Sequence, residues 1–90
     1  MGAKLSFWVY ILRSEATGKL YIGHTSDLER RVMRHNTEEA GSKRYTHRHE
    51  GPWNLIYSEE KETRSDAMKR EKYLKSGQGR EWIKENILKE

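Results

Sequence analysis

The chain has no cysteine, one proline and one phenylalanine in its 90 residues. Without cysteine there is no disulfide framework and no thiolate metal site, a composition that fits a reducing cytoplasm. No apolar run approaches the roughly 20 residues that cross a bilayer, and the N-terminus lacks the apolar stretch of a secretory signal. The expectation is a cytoplasmic protein with no membrane partner. Hydrophobic residues make up only 33% of the chain, so the core must be small. Two cores do not fit in this length, and residues 1–90 are expected to form one domain. A single core of this size is worth about 3–5 kcal/mol, and three Trp and five Tyr supply much of its area.

Charged residues account for 36% of the chain, with a net charge of +4. A basic balance favours polyanionic partners, nucleic acid above all. The arrangement strengthens that reading, because Lys43, Arg44, His47, Arg48 and His49 crowd one polar stretch. Lys43, Arg44 and Arg48 suit phosphates, and Tyr45 suits a base face.

The apolar run from Phe7 to Leu12 predicts a buried strand. Residues 14–19 supply turn chemistry, with Gly18 free to take a positive φ, and Leu20 to Gly23 form the returning strand. Ser26 and Glu29 have the spacing of a capping box, which predicts a helix from about Asp27 to His35 or Asn36. Residues 37–51 are polar and basic and are expected to be loop, closed by Pro52. Trp53 to Tyr57 predicts a third strand. Thr63 to Asp66 opens a second helix that runs to about Lys75, with Gly77 as its C-terminal glycine. Gly79 to Leu88 predicts a third helix buried on Trp82, Ile83 and Ile87. The order β-β-α-β-α-α makes a small mixed α/β domain.

Polar residues stand where the helical pattern calls for apolar ones. Leu28 and Val32 define the inward stripe of the first helix, and Arg31 and His35 extend it, one turn apart. In the second helix Ala67, Met68 and Leu74 mark the apolar side and Glu71 falls among them; an ordinary edge carboxylate there would pair with Arg70, Lys72 or Lys75. Tyr10 shares a strand face with Trp8 and Leu12, which packs its ring and leaves its hydroxyl at a margin. Tyr21 lies two residues before Gly23, where a missing side chain leaves room for a backbone or a ligand. Together these residues match the needs of phosphodiester cleavage. Arg31 offers a permanently charged, bidentate contact to phosphate oxygens. Glu71 is a plausible single-carboxylate ligand for Mg²⁺. Tyr10 or Tyr21 is a candidate base, provided that a neighbouring cation or hydrogen bond lowers its pKa from near 10. His35 could orient a tyrosine or water, or protonate the leaving oxygen.

With Trp8-Val9-Tyr10-Ile11, nine intervening residues and Tyr21-Ile22-Gly23, followed by Asp27 to Asn36 and by Glu71 within Lys69 to Lys75, the chain resembles the GIY-YIG nuclease superfamily over residues 7–75. Within it, residues 40–46 and Gly51-Pro52-Trp53 resemble the short stand-alone bacterial proteins, which are related to the N-terminal domain of an excinuclease component. The resemblance implies a three-stranded antiparallel sheet flanked by helices and metal-dependent hydrolysis of nucleic-acid phosphodiesters, with Mg²⁺ or Mn²⁺. It makes Tyr10 and Tyr21 the paired catalytic tyrosines, Arg31 the phosphate-facing arginine, His35 the helix histidine and Glu71 the metal ligand. Trp8 and Val9 replace the glycine and isoleucine of the first motif. Asn86 lies only roughly where some relatives carry an asparagine, and no role is assigned to it. The expected partner is nucleic acid, DNA ahead of RNA, in repair or recombination by analogy, with the protein a monomer or weak homodimer. The alternative is a nucleic-acid-binding module of the same fold with little or no cleavage.

Overall fold

The computed structural model describes residues 6–36 and 52–89; Lys43, Arg44, Tyr45, His47, Arg48 and His49 lie outside them. Strand β1 (Phe7–Ser14), strand β2 (Leu20–Thr25), helix α1 (Leu28–His35), strand β3 (Trp53–Lys61), helix α2 (Arg64–Leu74) and helix α3 (Gly77–Ile83) follow in that order. A π-helical turn, Lys84–Leu88, extends α3. The sheet has the strand order β2-β1-β3 and is antiparallel throughout. This is the mixed α/β fold expected from the sequence. Among the described residues, no helix is long and apolar enough to cross a membrane.

Strand alternation divides the core into two halves. Val9 and Ile11 point to one face, where Ala67, Leu74 and Ile83 from α2 and α3 cover them. Tyr10 and Leu12 point to the other, where they meet Trp53, with Tyr21, Leu28 and Val32 packed around them. A bulge in β3 lets one strand serve both halves. Leu12 pairs with Leu55, whereas Ile11 pairs with Tyr57, so Ile56 is the extra residue. The extra residue reverses the alternation, so Trp53 faces α1 while Tyr57 packs on the α2 side.

The helix starts follow side-chain caps, with two shifts from expectation. Asp27, not Ser26, caps α1, its carboxylate accepting from the Arg30 amide. Thr63 caps α2 by accepting from the Asp66 amide, as anticipated. Ser76 and Gly77 do not end α2 with a left-handed glycine. Instead the Ser76 hydroxyl accepts from the Gly79 amide and starts α3. Gly79 is needed for space: a Cβ there would lie 2.0 Å from the Tyr73 carbonyl oxygen, so only glycine lets α3 fold back closely on α2.

Strand β3 runs past Tyr57 to Lys61, further than its sequence predicts. Glutamates are poor strand formers, but here the ladder to β1 supplies the backbone partners. Glu59 is held by the Tyr57 hydroxyl at 2.5 Å and by Arg70 Nε at 2.9 Å. Arg70 in turn lies 5.2 Å from the Tyr73 ring centre and 4.9 Å from that of Trp82. Met68, expected on the apolar side of α2, is 52% exposed. The buried stripe is narrower than the pattern implies, Ala67 and Leu74 with the half-buried Glu71 between them.

Candidate active site

Strand β2 is an edge strand, and side chains gather around it from both faces. Tyr21 and Gly23 point toward α1. Ile22 and His24 point toward α2.

On the α1 side, Gly23 sits opposite Tyr10 in the β1–β2 ladder. A Cβ at Gly23 would lie 2.7 Å from the Tyr10 hydroxyl and 2.9 Å from its Cζ. The space anticipated over Gly23 is therefore filled by the tyrosine of the neighbouring strand. That tyrosine is fully buried rather than placed with its hydroxyl at a margin. Its hydroxyl is 3.1 Å from His35 Nε2, a hydrogen bond whose direction depends on the histidine tautomer. His35 is itself buried, and its ring lies 4.6 Å from that of Tyr21. The Tyr10 and Tyr21 rings stack at 6.3 Å, and Trp53 meets Tyr21 edge-on at 6.5 Å. The side chain of Asn36, just after α1, fixes the helix end to β3. It accepts from the Trp53 amide at 2.7 Å and donates to the Trp53 carbonyl at 2.9 Å.

Burial is the largest influence on the Tyr10 hydroxyl, and the nearby Tyr21 adds to it. Arg31 opposes both through its charge and a hydrogen bond, and Glu71 raises the value further. The result is a pKa pushed up to about 12. The cation beside Tyr10 is thus present, as the sequence requires of a base, but burial outweighs it. Tyr10 stays a neutral phenol at any physiological pH.

On the α2 side, Glu71 is the meeting point. His24 Nδ1 lies 2.6 Å from its Oε1, and Lys75 Nζ donates to its Oε2 at 2.6 Å. Of the three basic partners considered for this carboxylate, Lys75 is the one engaged; Arg70 turns to Glu59. Burial opposes ionisation of Glu71, but hydrogen bonds from His24 and Lys75, with their charges, more than offset it. The carboxyl is held below its ordinary 4.5. The other ring nitrogen of His24, Nε2, faces Arg64 Nη1 at 3.5 Å.

The structure therefore brings Tyr10, Tyr21, Arg31 and His35 into one cluster and sets Glu71 within electrostatic reach of it across β2. His24 was missed by the sequence reading, although one signal could have found it: a histidine that alternates with Ile22 toward a helix, where an apolar residue belongs. Asn86 stays apart, its amide donating to the Trp82 carbonyl one turn earlier at 2.9 Å. Among the described residues, no group of three or more His, Asp or Glu could hold a metal ion.

Comparison with known proteins gives the chain a family. The family model "GIY-YIG catalytic domain" matches residues 6–86. A UPF0213 protein from Staphylococcus saprophyticus is 35% identical over 69 residues, covering 77% of this chain and 79% of the relative. A UPF0213 protein from Staphylococcus aureus strain Mu3 is 37% identical over 71 residues, 79% of this chain and 82% of the relative. The solution NMR structure of a UPF0213 protein from Bacillus halodurans aligns with a TM-score of 0.52 at 28% identity, covering 88% of this chain and 82% of that one. With the family model matched over nearly the whole chain and relatives at 35% and 37% identity covered along most of their length, the chain belongs to the GIY-YIG catalytic-domain family.

Proposed function

We propose that this protein is a divalent-metal-dependent endonuclease that hydrolyses phosphodiester bonds of nucleic acid, DNA being the expected substrate. The observation that carries this reading is the convergence around the half-buried edge strand β2 of a guanidinium, a tyrosine–histidine cluster and an ionised carboxylate. A phosphodiester laid along β2 would meet Arg31 and Tyr21 from one face and Glu71 from the other.

Each side chain has a role suited to its setting. Arg31 neutralises the charge that develops on the phosphate oxygens, with two parallel N–H donors. Tyr21 is half-buried, whereas Tyr10 is sealed from solvent, so Tyr21 is the tyrosine that orients the attacking water. Tyr10, kept neutral by burial, positions His35 through their shared hydrogen bond. His35, against the Tyr21 ring, accepts or returns the proton in transit.

Glu71 suits a hard divalent cation: it is an ionised oxygen donor in a site that leaves the remaining positions to water, as Mg²⁺ prefers. Lys75, 54% exposed on a flexible stem, can swing off the carboxylate at little cost. His24 would hold the carboxylate's orientation from behind, as hydrogen-bond partners of metal ligands do. A cation bound there supplies Lewis-acid stabilisation of the phosphate and a more acidic bound water.

A second reading is a nucleic-acid-binding module that does not cut. One observation favours it: both oxygens of Glu71 are already engaged, by His24 and Lys75. The test is to incubate the protein with labelled flaps, branched duplexes, single strands and structured RNA, each with Mg²⁺, Mn²⁺ or EDTA. Cutting that requires metal supports the nuclease. Binding without cutting on every substrate supports the module.

A further inference from the structure

A groove of about 680 Å³ runs between the start of β2 and α3, bordered on the strand side by residues 18–22. It falls within the roughly 300–1,000 Å³ usual for ligand sites. We infer that this groove is the track along which a nucleic-acid strand leaves the cleavage site, its phosphates held by Lys19, Lys75, Arg80 and Lys84. The inference rests on the nuclease reading above and extends it to the substrate's path.

The charge of the lining is one-sided. Four cations border the groove and no carboxylate does, although the chain carries 14 acidic residues. Arg80 and Lys84 stand four residues apart, the separation at which like charges on a helix repel. Both are exposed, and no carboxylate among the described residues forms an ion pair with either. Such a pair is unfavourable for the folded chain alone and becomes favourable when an anion lies across it. A chain of phosphates supplies that anion at each step along a strand.

The groove is also continuous with the site. Lys75 lines it and donates to Glu71. A strand whose scissile phosphate sits at Glu71 and Arg31 can therefore place its next phosphates on Lys75, Arg80 and Lys84. The floor between the cations is apolar, built from Ile22 and Ile83, and suits the sugar edge of a strand.

The test is equilibrium binding of a fluorescent oligonucleotide, single-stranded and duplex, in EDTA between about 50 and 200 mM KCl. The proteins compared are wild type, Lys84→Gln, Arg80→Gln/Lys84→Gln and Arg30→Gln/Arg34→Gln. The last pair removes the same charge from exposed positions on α1 outside the groove. Each lost phosphate contact lowers the slope of log affinity against log salt by about 0.7 on single strands or 0.9 on duplex. The groove double variant is expected to lose about 1.4–1.8 of slope, Lys84→Gln about half of that, and the α1 pair far less. Melting curves that match wild type exclude unfolding as the cause. Unchanged slopes in the groove variants, or an equal loss from the α1 pair, would overturn the track while leaving the nuclease reading standing. A wild-type protein that binds no nucleic acid would overturn both.

Discussion

Replacing Gly23 by alanine tests the packing that joins the two motif tyrosines. The new methyl would lie 2.7 Å from the Tyr10 hydroxyl and 2.9 Å from Cζ, so the ring must retreat by about 0.7 Å to regain ordinary contact. Tyr10 is fully buried against Leu12 and Trp53, so a shift of its ring presses on those neighbours. Overpacking of this kind costs about 1–3 kcal/mol, and stretching the Tyr10–His35 hydrogen bond beyond 3.1 Å adds about 0.5–1.5 kcal/mol. The expected loss is about 1.5–4.5 kcal/mol, and at about 4–8 °C per kcal/mol the melting temperature falls by at least about 6 °C. The assay is thermal and urea unfolding of a two-by-two set with Tyr10→Phe. Removing the hydroxyl deletes the closest clashing atom and the hydrogen bond it would strain. Gly23→Ala is therefore expected to cost about 1 kcal/mol less in the phenylalanine background. A Gly23→Ala protein as stable as wild type, or a penalty identical in both backgrounds, would refute the reasoning.

Three further outcomes are expected. Arg31→Lys keeps a charge but loses the planar fork, and cleavage should fall about 100-fold with little change in melting temperature; full activity would remove the fork from the mechanism. His24→Ala leaves the Glu71 carboxylate without its ring partner, and Mn²⁺ affinity measured by calorimetry should weaken about 10-fold, an effect absent if the histidine only fills space. The Glu71 carboxyl is held below its ordinary 4.5 in the folded protein, so it contributes stability above that pH and the contribution fades as pH falls through the lowered value. Wild type should therefore exceed Glu71→Gln in melting temperature near neutrality, by a margin that shrinks below about pH 4.5; a margin that grows in acid would contradict this.

The strand and helix order was legible because apolar runs and caps mark it locally. The exact cap at α1 was not: Ser26 and Asp27 are adjacent and both cap well, and only the path of the chain selects Asp27. The second half of β3 has no local strand signal, because the pairing that holds it comes from β1, over 40 residues earlier. Tyr10, Tyr21, Arg31, His35 and Glu71 were singled out from strand and helix pattern and from the family resemblance, but their surroundings were not legible. The raised pKa of Tyr10 depends on complete burial, which an alternating strand pattern cannot quantify. His24 joins Glu71 across 47 residues, and neither residue carries a sign of the other.

The central claim is that Glu71 makes this fold a metal-dependent nuclease. The most direct measurement is the single-turnover cleavage rate of wild type and Glu71→Gln on whichever panel substrate is cut, across a titration of Mg²⁺ and Mn²⁺. Circular dichroism of both proteins would confirm a shared fold. The account predicts cleavage by wild type that saturates with metal and a loss of at least about 100-fold in the variant. Equal rates in the two proteins, or cutting that persists in EDTA, would contradict it.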